Sequence, residues 1–195
     1  MATTLTASAG LALSWTHEET QAGSSNTKNQ GSYNKRLSFA NGTGAGKADE
    51  LYQTVRTLAA GASETLDFSG GAGTATIGGE LVNLLGITIA FTKIKAIFIW
   101  LLAAADTAPD GSTVGTAASS ILIGGAASAQ ALAGASGFLA DTSDKIRVFN
   151  GGFAGFGVAN AAGVAVANGA TDRLRVVNED GAVAAKYVIT IIGEN

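Results

Sequence analysis

The sequence predicts an all-β protein, built as a sandwich or a barrel, and three observations lead there. Apolar and polar residues alternate over about eight or nine short runs with turn residues between them, the spacing of strands in such folds. Glycine occurs 27 times and proline once, which suits many tight turns better than a disordered linker. Alanine is abundant and favours helix, yet the alanines cluster beside glycine and serine and trace no 3.6-residue stripe. No internal repeat points to a propeller or solenoid. A chain of 195 residues fits one domain, and a compact chain of this size buries roughly 70% of its unfolded surface.

The first element is the most regular. Leu5, Ala7, Ala9, Leu11, Leu13 and Trp15 occupy odd positions, so they share one face of a half-buried strand. The polar stretch from Thr16 to Ser32 reads as a long loop or arm, after which Tyr33, Leu37 and Phe39 resume the odd phase. This divides the chain into an N-terminal strand and polar arm over 1–32 and a β domain over 33–195. "NGTGAGKAD" (Asn41 to Asp49) is a turn, followed by the strands "LYQTVRTL" and "TLDF" with Gly61 between them.

Further on, "GGELVNLLG" (Gly78 to Gly86) suggests one or two helical turns. Ile87, Ile89 and Phe91 share a parity that Ile94, Ala96, Phe98 and Trp100 break, so a turn or bulge is expected near Thr92. The apolar run from Ile94 to Ala105 is too short for a membrane helix, which needs about 20 residues, and reads as one buried strand. "APDGS" turns the chain and "SSILIGG" is a strand. In the Ala-, Ser- and Gly-rich segment 126–144, Leu132, Phe138 and Leu139 are the expected core contacts. "DKIRVFNGGFAGFGV" offers a strand, an Asn-Gly turn and a second apolar run. "DRLRVVNEDGAVAAKYVITIIG" reads as a hairpin turning at Asp180-Gly181.

Composition narrows the function. Charged residues make up 14%, against about 25% in typical soluble domains, so the surface is weakly solvated and suits packing against copies or a large partner. A net charge of −3 argues against a broad nucleic-acid surface, and the absence of cysteine excludes disulfides, thiolate catalysis and Cys-based zinc sites. The start of the chain lacks the basic leader of a secretory signal. No cofactor, membrane or nucleic-acid partner is expected.

The chemical motifs are near misses. A phosphate loop G-x-x-x-x-G-K-[ST] aligned on Gly46-Lys47 has Asn41 in place of its first glycine and Ala48 in place of its magnesium-binding hydroxyl. "HEETQ" has Gln21 where the zinc-protease motif needs a second histidine, and His17 is the only histidine in the chain. No serine lies in a G-x-S-x-G elbow. Asp141 with Asp144, and Glu179 with Asp180, are carboxylate pairs in turns, where such groups are ordinarily solvated or capping. No catalytic or metal-ligating residue is assigned. The candidate site residues are instead those of an assembly interface: Leu11, Leu13, Trp15, Tyr33, Phe153 and Phe156.

One resemblance adds to this reading. "FANGTGAGKADELYQTVRTLAAGASETLDFSG" (Phe39 to Gly70) resembles a group of small virion proteins of tailed bacteriophages and prophages, which commonly carry a "DGTGANxAD" loop and then "RTLAAGA-x-E-x-LDL-x-G". The likeness continues through "GITIAFTKIKAIFI", "ILIGGAA", "SDKIRV", "VANGATDRLRVVN" and "KYVITIIGEN", and so covers most of the chain after about residue 37. Such proteins often have "RPGGVF" where this chain has "FNGGFAG" from Phe149. The resemblance implies a non-enzymatic structural protein, most like a capsid decoration or cement protein on the capsid surface of the virion. It also implies a jelly-roll-like antiparallel β-sandwich, a homotrimer, and the major capsid protein as partner. Its rivals are a tail-associated fibre or receptor-binding module and a virion-associated glycan hydrolase.

Overall fold

The computed structural model describes residues 4–19, 27–70, 81, 88–125, 139, 143–158 and 163–195. They form twelve strands: β1 (Ala7–Glu19), β2 (Thr27–Asn41), β3 (Lys47–Ala48), β4 (Glu50–Leu58), β5 (Ser63–Asp67), β6 (Lys93–Leu101), β7 (Ser120–Gly124), β8 (Lys145–Phe149), β9 (Phe153–Gly157), β10 (Val164–Ala165), β11 (Arg173–Asn178) and β12 (Ala185–Glu194). No helix among the described residues is long and apolar enough to cross a membrane. The helical turns expected between Gly78 and Gly86, apart from the buried Leu81, and Leu132 and Phe138 as core contacts, lie outside the described residues. Leu139 is buried in the core as expected.

The body is an antiparallel sandwich. In one sheet the order is β4, β12, β6, with β9 and β10 sharing the far edge of β6. In the other it is β5, β11, β7, β8. Counting β4, β5, β6, β7, β8, β9, β11 and β12 as first to eighth, the sheets read first, eighth, third, sixth and second, seventh, fourth, fifth. One apolar core lies between them. Tyr52, Ile97, Ile99, Leu101, Ile189 and Ile191 of the first sheet meet Leu66, Ile121, Ile123, Val148, Leu174 and Val176 of the second. The period-two reading of β11 holds: Leu174 and Val176 are buried, while the arginines between them are only half-buried.

The hairpin expected at Asp180-Gly181 does not form, and two other successive pairs of strands behave alike. β4 and β5, β8 and β9, and β11 and β12 follow one another across tight turns, yet each pair splits between the two sheets. Turn residues specify that the chain reverses; which strand it then pairs with is decided by burial far away in sequence. Asn178 secures two of these corners. Its side-chain NH2 donates to the Ala59 carbonyl at 3.0 Å and the Val183 carbonyl at 2.8 Å, while its Oδ1 accepts from the Asp180 N–H at 3.0 Å.

Two further expectations need correction. The strand expected over Ile94 to Ala105 stops at Leu101, where a turn held by Ala103 N–H on Asp106 Oδ2 (2.7 Å) begins. The chain bends at Thr92, where a turn or bulge was expected, between the buried Phe91 and Ile94. A second irregularity, at Lys95, breaks the expected row of Ile94 with Ala96, Phe98 and Trp100. Ile192 pairs with Ala96 but Gly193 pairs with Ile94, so Lys95 is the extra residue. Ile94 therefore joins the core with Ile97, Ile99 and Leu101, while Ala96, Phe98 and Trp100 face outward.

The outer face of the β4–β12–β6–β9 sheet is covered at both ends. Leu102, Ala108, Val114 and Ala117, from the segment after β6, cover Val55, Trp100 and Val188. At the opposite end Leu5, Ala7, Ala9, Leu37 and Phe39 of the first two strands cover Ala96 and Ile192. Between these covers Phe98 is 39% exposed.

Asn178→Ala is expected to lower stability by about 1–3 kcal/mol for each backbone group left unpaired, measured as a lower urea midpoint. Asn178→Asp keeps the shape but loses the donors, and is expected to cost at least as much.

Candidate assembly surface

β1 and β2 pair antiparallel from Ala7↔Phe39 to Glu19↔Thr27, forming a long hairpin. The loop expected over Thr16 to Ser32 is therefore largely strand, and position 32/33 falls inside β2. A run of polar residues carries no apolar–polar alternation for a pattern to reveal. Register gives the hairpin two unlike faces. Leu11, Leu13, Trp15, Tyr33 and Lys35 share one, and Ser8, Gly10, Ser14, Asn34 and Arg36 share the other. Trp15 lies over Gly31, where an added Cβ would come within 2.3 Å of the indole.

The structure leaves five of the six candidate residues exposed: Leu11 at 52%, Leu13 at 59%, Trp15 at 47%, Tyr33 at 54% and Phe153 at 59%. Phe156 departs from them. It packs against the main core and only borders the surface, because residues three apart in a strand point to opposite faces. Phe98 joins the set instead, its ring centroid 5.4 Å from that of Phe153. No signal in the sequence marked it, since its row with Ala96 and Trp100 turns outward through the bulge at Lys95. Between the hairpin and the sheet runs an apolar groove of about 570 Å³, whose lining includes Leu11, Tyr33, Leu37, Phe98, Phe153 and Gly155.

A buried ion pair sets the hairpin on the body. Lys95 and Glu194 have side chains only 0% and 2% exposed, and Lys95 Nζ lies 2.9 Å from Glu194 Oε1. Lys93 Nζ approaches the other oxygen at 3.1 Å. The Gly44 N–H donates to Glu194 Oε1 at 2.7 Å. Thus "NGTGAGKAD" is the expected turn, linking β2 to β3, with Gly42, Gly44 and Gly46 at φ of 113°, 104° and 66°. The Gly44 N–H, a donor that a phosphate loop would aim at its ligand, already holds the protein's own carboxylate. Burial alone would raise the Glu194 carboxyl; the bonds from Lys95, Gly44 and Lys93 outweigh it and hold it below the ordinary value.

The other carboxylates are engaged structurally. Arg147 grips Glu179 with two bonds of 2.7 Å, and Ser120 Oγ adds a third at 2.8 Å. Asp180 accepts from the N–H groups of Ala182, Val183 and Ser119, which hold its carboxyl below the usual range. Of the second candidate pair, Asp141 lies outside the described residues. Glu64 bonds to Arg56 and to the buried Tyr187 hydroxyl (2.6 Å), a polar clasp between the sheets; burial and the Glu64 carboxylate push that hydroxyl up. Ser69 Oγ lies 2.7 Å from Asp67 Oδ1 and 3.3 Å from Asp172 Oδ2, tying β5 to the start of β11. Among the described residues no three His, Cys, Asp or Glu side chains form a metal-holding group. Comparison of the chain with protein-family models, curated proteins and solved structures finds no match.

Glu194→Gln leaves Lys95 buried and uncompensated, and is expected to cost about 3–5 kcal/mol. The folded carboxyl titrates below the ordinary value of 4.5, so its stabilisation is full above that pH and fades as pH falls through the folded value. Urea midpoints between pH 6 and 3 should therefore fall less steeply for Glu194→Gln than for the wild type.

Proposed function

We propose that this protein is a non-enzymatic structural component of a tailed-phage virion, binding the outside of the capsid shell as a decoration, or cement, protein. The observation that carries the reading is the hairpin: an amphipathic ribbon with large apolar side chains in water, standing beside a bare stretch of sheet. Contiguous apolar patches of this kind mark interaction sites. The partners on this reading are the major capsid protein and further copies of the chain in a trimer. Many identical contacts, each weak, would then sum over the shell.

The resemblance to small phage virion proteins supports the same conclusion. The blocks that carry it fall on β4 to β8, β11 and β12, the strands of the sandwich apart from β9, whereas β1 and most of β2 lie outside it. A shared body with an individual hairpin fits a common scaffold adapted to one particular shell. We read the strand order of the two sheets as the double Greek key of a jelly roll.

Labelling the protein in intact particles tests the proposal. Many copies spread over the head, and heads that open at lower temperature when stripped of the protein, are the expected results. A few copies confined to the tail would overturn it in favour of a fibre or receptor-binding module.

A further inference from the structure

We propose that the uncovered face of the hairpin is taken by a second copy of this chain, with Leu13 and Trp15 of one copy lying on the outer sheet face of the next, against Phe98 and Phe153. This names the occupant of the same surface, and so rests on reading it as an assembly surface. At the base of the hairpin the chain already makes this contact with itself. Leu5, Ala7, Ala9 and Leu37 pack on Ala96 and Ile192, and a Cβ at Gly157 would come within 2.9 Å of Leu37 Cδ1. The sheet face is thus shaped to receive this hairpin's apolar row.

Both rows continue past the contact. Leu11, Leu13 and Trp15 extend the row of Ala7 and Ala9, and Phe98 extends the row of Ala96. Within one copy they part company. Leu13 and Trp15 do not line the groove and stay about half exposed, while Phe98 and Phe153 line it and stay 39% and 59% exposed. The chain therefore carries a ribbon and a receptor for that ribbon, each uncovered where the other could reach it from a neighbour. Charge does not oppose the fit. The sheet side of the groove carries no charged side chain, and Lys35 is the one charge on the hairpin side. Because the ribbon and its receptor are different surfaces, the contact is head-to-tail and closes into a ring when the rotation allows.

Light scattering on the full chain, eluted from a sizing column over a range of concentrations, reads the outcome. Wild type is expected at a multiple of the chain mass. Leu13→Asp/Trp15→Asp, with an intact receptor, and Phe153→Asp, with an intact ribbon, are each expected at single-chain mass with an unchanged unfolding midpoint. Mixing the two variants leaves one productive junction, so a 1:1 pair should form and grow no further. As a check independent of those charges, Leu13→Cys mixed with Phe153→Cys in this otherwise cysteine-free chain should give a covalent dimer under mild oxidation.

Wild type at single-chain mass throughout, variants that keep the wild-type mass, or a mixture that never pairs would each overturn the inference. If single chains nonetheless bind capsid shells and Leu13→Asp/Trp15→Asp abolishes it, the hairpin belongs to the shell protein. This inference then falls, and the trimer with it, while the capsid-decoration reading stands. Single chains that bind neither copies nor shells remove both.

Discussion

The buried pair of Lys95 and Glu194 is the constraint on which the relation between hairpin and body depends. Burying two opposite charges yields little net stability, because desolvation consumes most of the attraction. What the pair supplies is position. Lys95 is the extra residue of the β6 bulge, so its side chain belongs to neither the core row nor the outward row. It meets Glu194 on β12, which also takes the Gly44 N–H from the loop leaving the hairpin. Three distant segments are thereby fixed at one point, and the apolar base of the hairpin is set on the sheet.

The same bulge decides the chemistry of the two faces of β6. Without the extra residue, Ile94 would share a side with Ala96 and Phe98. With it, Ile94, Ile97, Ile99 and Leu101 all enter the core, and Ala96, Phe98 and Trp100 form the outer row. The hairpin covers the first of that outer row and the segment after β6 covers the last. Phe98, between them, is left for another surface.

Strands with one wet and one dry face were legible in the sequence, since alternation records burial directly, as in Leu174 and Val176 of β11. The glycine loop was legible as a turn because its three glycines adopt φ values that other residues avoid. What alternation cannot record is partnership. β4 and β5 read as neighbours across Gly61, yet their partners β12 and β11 lie more than a hundred residues further on. Nothing in the sequence marks Lys95 as the partner of Glu194, which stands at the far end of the chain. In the candidate assembly surface, the five exposed apolar residues were legible from their positions, whereas Phe156 turned inward and Phe98 outward through register alone.

The central place of β12 has a consequence for synthesis. It lies between β4 and β6, pairing with Leu51–Leu58 on one side and Lys93–Leu101 on the other. Until residues 185–194 leave the ribosome, those two strands present unpaired edges and the first sheet has no middle. The hairpin, by contrast, pairs residues close in sequence and can form as soon as it emerges. The nascent chain thus carries a finished sticky ribbon ahead of an unclosed sandwich, and crowding of neighbouring nascent chains is most hazardous in that interval.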